Sequence, residues 1–291
     1  MKTKCFCLLR RKPVRVRLFI KGNACFVCGV LTLVIFGLTC SPEQPAERLR
    51  RGVLKKLQEQ IAEQRRLTNP GERATDLAQS AAAYTVFKKD TFIDSVFEDA
   101  YWSGCHVRPI DSQYHALSQV LGSMQIADMH KHAFELAAAH PELWLRSKLL
   151  CGVASRLDEH SAVLFHDVMQ SALTAADADS NLIRRNEARV CAARAFLEHG
   201  DVSRSLQLIQ VCQTEALQIR DFWYTPVHGR YGYGTARCLF GNIVYIYAKA
   251  GRRDLAVRFI SAFDDEKMRL ELQSELRRNS SLEGVHSNSR S

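Results

Sequence analysis

The chain has 291 residues, 46% of them hydrophobic and 24% charged, enough apolar material for a proper core and not a disordered composition. Its formal charge of +9 is concentrated at the front, where residues 1–40 hold eight Lys or Arg and no Asp or Glu, leaving +1 for residues 41–291. A nearly neutral body has no electrostatic footprint for a phosphate backbone, which argues against nucleic acid as a partner.

The basic run from Lys2 to Lys21 is followed by an uncharged apolar segment, Asn23 to Thr39. This is the layout of an export signal, and the segment is short of the about twenty residues that span a bilayer. It closes on Gly37-Leu38-Thr39-Cys40-Ser41, which resembles a lipoprotein signal of the relaxed, spirochaete-like kind. The resemblance implies that Cys40 takes a diacylglycerol on its sulfur and becomes the mature N-terminus. The competing reading is an uncleaved anchor that happens to end at Cys40. Both place the body in the cell envelope, membrane-anchored on the periplasmic, extracytoplasmic side, because the positive flank stays inside. Residues 1–40 are thus a signal peptide or anchor.

Five of the ten cysteines, from Cys5 to Cys40, belong to this leader. The other five, Cys105, Cys151, Cys191, Cys212 and Cys238, are widely spaced in apolar helical sequence and read as buried small hydrophobes. No disulfide pair can be chosen among them.

Residues 41–71 form a polar tether in which Leu49, Val53, Leu54, Leu57 and Ile61 recur at helical spacing, and Asn69-Pro70-Gly71 ends it. From Glu72 to Phe263 apolar residues recur every three or four positions with no alternation of strand type, so the fold is expected to be all-α. Breakers divide the region into pairs at 73–88 with 91–102, 112–127 with 129–139, 143–156 with 160–175, 182–199 with 202–217, and 236–250 with 252–263. A charged capping helix follows, which closes a domain at 72–276. Residues 277–291 read as a disordered tail.

In the fourth pair Ala193, Phe196, Gly200, Asp201, Ser205 and Ile209, and in the fifth Tyr247, Gly251, Ala256 and Ile260, resemble the tetratricopeptide pattern. The resemblance implies an α-solenoid of about five antiparallel helix pairs. Such stacks bind other proteins along an extended groove.

The expected function is therefore a membrane-tethered envelope scaffold or adaptor that takes protein partners; the alternative is a ligand-binding accessory lipoprotein of a solute transport system. Within the body, the run Asp221 to Thr235 reads as a mobile loop rich in aromatics. Phe222, Trp223, Tyr224, Arg230, Tyr231 and Tyr233 are its candidate partner-binding residues, against the reading that they fold back between repeats. GRYGYG has the wrong spacing for a nucleotide loop. His130 and His132 are two apart and cannot share a metal on one helix face, and the histidines read as isolated surface residues. No hydrolase elbow, Walker loop or zinc-protease motif is present, so neither an enzyme, a metal nor a cofactor is expected.

Overall fold

The computed structural model describes the backbone of residues 43–88, 90–223 and 229–287, with side chains over 47–88, 90–158, 160–217 and 237–279. Among these residues the secondary structure is helical, with no strand, so the fold is all-α. Cys40 lies outside the described residues. Contacts divide the chain into two compact units at Lys56/Leu57.

In the first unit only the opening of α1 (Glu43–Gln64) is described; Leu49 on it is exposed. The second unit starts at Leu57, ahead of the Glu72 start read from the sequence. The reason is visible in the side chains, since Ile61 is fully buried, Gln58 Nε2 donates to Tyr84 Oη at 3.2 Å, and Arg65 pairs with Asp99 at 2.7 Å.

The remaining helices are α2 (Pro70–Thr85), α3 (Thr91–Cys105), α4 (Ile110–Ile126), α5 (His130–Ala138), α6 (Leu143–Ala154), α7 (Ala162–Ala178), α8 (Leu182–Glu198), α9 (Val202–Trp223), α10 (Gly229–Lys249), α11 (Arg253–Ser261) and α12 (Glu266–Ser287). A short 3-10 turn, Glu159–Ser161, leads into α7. Local chemistry sets the starts. Asn69 caps α2 by accepting from the amides of Gly71 and Glu72, with Pro70 at the first position, where its missing N–H is no loss. Asn181 caps α8 in the same way, and Asp201 and Asp265 accept amides at the starts of α9 and α12.

Three turns share one construction. The amides of Asp128, Gly200 and Gly251 donate three residues back, to Gln125, Leu197 and Ala248. The amides of Met129, Asp201 and Arg252 donate five back, to Met124, Phe196 and Tyr247. This double closure needs a left-handed residue, and the three have φ of +63°, +82° and +71°. Gly200 and Gly251 reach it freely, while Asp128 is the type of residue that tolerates it.

Packing follows chain order. Each even-numbered helix from α2 packs on the next even one, through α4, α6, α8 and α10 to α12, and each of the odd helices α3, α5, α7, α9 and α11 packs on the even helices before and after it. At the crossings the residues are small or flat: Ala133, Ala137, Ala193, Ser205 and Ala256 are fully buried, and a Cβ on Gly104 would meet Leu117 Cδ2 at 2.7 Å. One apolar cluster runs from α8 to α12 around Phe240, Phe259 and Phe263, whose ring centroids lie 4.8–6.0 Å apart.

Two expectations are corrected. The aromatic run is not a loop over 221–235, because α9 continues to Trp223 and α10 begins at Gly229. Nor does irregular tail begin at 277: α12 extends to Ser287, and Asn279 is buried with its amide on Glu275 O at 3.0 Å. Among the described residues no helix is long and apolar enough to cross a membrane.

Candidate functional site

A polar constellation lies on a shared face of α4, α6 and α8. Tyr114 and Ser118 come from α4, Lys148 and Gly152 from α6, Arg156 from the turn that ends α6, and Cys191, Arg194 and Glu198 from α8. They enclose a cavity of about 250 Å³ floored by Cys151.

Lys148 is held by rings. Its Nζ lies 4.5 Å from the centroid of Tyr114 and 4.2 Å from that of Trp144, within the range of a cation–π contact. Trp144 is fixed in turn, because its Nε1 donates to Glu187 Oε2 at 2.9 Å and the Arg184 guanidinium sits 5.8 Å from its ring. Burial raises the Glu187 carboxyl above its ordinary range, and Lys148 and the Trp144 bond only partly oppose this.

Arg156 reaches across to α4, where its Nη1 donates to Ser118 O at 3.3 Å and lies so close over Gly122 that a Cβ there would collide with it. Arg194 is bound at 2.8 Å by Glu198 and lies 5.5 Å from the Tyr245 ring on α10. No carboxylate of the described residues comes within ion-pair distance of Lys148 or Arg156. The cavity wall thus carries three cations and one carboxylate, with the carboxylate already engaged. Gly152 lies between Lys148 and Arg156, and a Cβ built on it meets nothing within 4 Å.

The thiols on the floor are protonated at neutral pH. Burial pushes Cys151 well above the usual thiol value and raises Cys191. Cys212, buried elsewhere between α8 and α9, is pushed up to about 12 by burial, and Cys105 to about 11. Of the five thiols expected to be buried, Cys151 and Cys212 are, Cys105 and Cys191 are half-buried, and Cys238 is exposed.

Of the residues expected to bind a partner, Phe222 and Trp223 fall in the last turn of α9, and Arg230, Tyr231 and Tyr233 in the first turns of α10. Tyr224 lies outside the described residues, as do the side chains of the other five. The histidines are not all isolated. His132 faces Asp94 at 3.9 Å and Glu98 at 3.6 Å across α3 and α5. His140 is buried and accepts the Glu142 amide on Nδ1, and His199 contacts Ala154 O at 3.0 Å while stacking on Phe165. Among the described residues no three His, Cys, Asp or Glu side chains group as a metal-binding set.

Sequence reasoning missed the cavity because its residues are scattered singly. One numerical signal was present: Lys148 faces Tyr114, and Arg156 faces Gly122, and each pair is separated by 34 residues. Compared with known proteins, the chain matches no family model, no curated protein and no solved structure.

Proposed function

We propose that the protein is a membrane-tethered cell-envelope scaffold or adaptor, whose helix pairs form an α-solenoid of tetratricopeptide type and take a polypeptide partner along the face shared by α4, α6 and α8. The observation that supports it best is the cavity with Lys148, Arg156 and Gly152 on its wall, two cations with no carboxylate at ion-pair distance among the described residues, beside a glycine whose Cβ position is open. Serial contact between even helices fits a stacked array, and 34 residues is the period of a tetratricopeptide unit. The charged wall favours a polypeptide over the apolar small molecule that a transport accessory would hold. For the tether, the support is the basic leader with its apolar segment ending at Cys40.

The test is a photo-crosslinking amino acid at Ser155, an exposed residue on the cavity rim, in cells, compared with the same group at Val163, an exposed position on α7. The reading expects a discrete adduct with another protein from position 155 and none from 163. Equal labelling from both, or none from either, removes it. Intact mass of protein from its own membranes, with Cys40→Ala beside it, tests the tether: a chain starting at residue 40 and carrying a diacylglycerol is expected.

A further inference from the structure

We infer that the partner segment is an extended acidic strand bearing two carboxylates four residues apart, one taken by Lys148 and the other by Arg156, with its backbone passing over Gly152. This rests on the groove reading and gives it a chemistry.

The spacing comes from the helix. Lys148 and Arg156 are eight residues apart; the six steps to Ala154 rise about 9 Å at 1.5 Å per residue, and the turn through Ser155 carries the backbone on to about 12 Å. The two head groups lean on Tyr114 and on Gly122 of α4, again eight residues apart, so the facing helix repeats the backbone spacing. An extended chain advances about 3.3 Å per residue and presents alternate side chains to one side, so residues i and i+4 stand about 13 Å apart on the same face. A spacing of two gives about 7 Å, and neighbouring residues point to opposite sides. Of these, the four-residue spacing is the one nearest the backbone separation of Lys148 and Arg156.

Pre-organisation follows from the contacts. Lys148 is fixed between two rings and Arg156 against a backbone carbonyl, so neither needs ordering when a carboxylate arrives. Arg194 is less available, being engaged by Glu198 at 2.8 Å. Gly152 supplies the third element. A glycine inside a helix costs about 1 kcal/mol relative to alanine, and the empty space above it removes any packing reason within this chain. A partner backbone lying close against α6 accounts for it.

The test uses the full chain in detergent and fluorescein-labelled nonapeptides read by anisotropy. The probe is S-A-D-A-G-A-D-A-S, set against an isomer with the two acids adjacent and a version with both changed to Asn. The first should bind about tenfold more tightly than either control at low salt, and its advantage should shrink as salt rises. Lys148→Gln and Arg156→Gln should each weaken it by about tenfold, with melting temperatures close to the parent. Gly152→Leu should abolish binding, and Arg156→Glu should prefer a probe whose second acid is Lys.

Equal binding of the Asn peptide, or parental binding by Lys148→Gln and Arg156→Gln, overturns the inference. A crosslink from position 155 that persists in the Lys148→Gln/Arg156→Gln double variant overturns it while leaving the groove reading in place. No crosslink from 155 at all removes both.

Discussion

Asp128, Gly200 and Gly251 do the same work at three turns, yet only two of them are glycine. A Cβ on Gly200 or Gly251 would touch nothing within 4 Å, so any penalty for alanine comes from the backbone alone. Gly200→Ala and Gly251→Ala should each lower stability by about 1–2 kcal/mol. Asp128→Gly should raise it by less than that, since glycine also widens the unfolded ensemble. Urea midpoints measure all three, and unchanged midpoints for both alanine variants would show the turns to be held by something other than their conformation. A second expectation concerns Glu187. Its carboxyl is raised in the folded state, so its contribution is fully present below the unfolded carboxylate value and is lost as pH rises through the folded one. Glu187→Gln keeps an acceptor for Trp144 and should therefore gain stability over the parent at pH 8 but not at pH 4. Thermal melts across that range check the sign. The thiols give a third: at pH 8 iodoacetamide should modify exposed Cys238 well before Cys151, Cys191 and Cys212, followed by peptide mapping.

Among the elements, α2 shows how much a cap can be asked to do. Asn69 satisfies two of the amides that the helix start leaves open, so Asn69→Ala should cost about 1 kcal/mol, whereas Asn69→Asp should be nearly neutral. Chemical denaturation of the three proteins measures this, and a neutral alanine would mean that Pro70 alone fixes the start. Caps and breakers of this kind are why the five helix pairs were legible in the sequence: Asn69, Asp128, Gly200 and Gly251 stand at real ends. The same reasoning failed at 221–235. Gly229, Gly232 and Gly234 read as loop because each disfavours helix locally by about 1 kcal/mol. Helix α10 is anchored from its other end instead, where Phe240, Ile243, Val244 and Tyr247 are fully buried, and packing outweighs propensity. Residues 277–287 were misread for a similar reason: their polar composition hides that α12 is held by Leu276 just before them and Asn279 among them, both buried. The cavity was illegible as a motif because Tyr114, Gly122, Lys148 and Arg156 come together only through the stacking of α4 on α6.

For the second unit as a whole, the order of contacts predicts how it comes apart. Helices pack chiefly on neighbours one or two places away in the chain, so stability is closer to a sum of local interfaces than to one shared core. Helix α12 packs on α10 and α11, and Met268, Leu272 and Leu276 bury their side chains in the cluster that holds Phe240, Phe259 and Phe263. Ending the chain at Asp265 strips that cover. The deletion should expose the cluster, and α10 and α11 should lose amide protection in hydrogen exchange by several orders of magnitude. Helices α2 to α6 share no such interface with α12 and should keep their protection, and with it the α4 and α6 walls of the cavity that carry Lys148 and Arg156. Peptide-resolved exchange by mass spectrometry distinguishes the outcomes. Graded loss that fades from α10 towards α6 fits nearest-neighbour coupling. Uniform loss across the unit would mean that the even helices unfold as one cooperative body, and that the acidic-strand site depends on a helix that touches none of its residues.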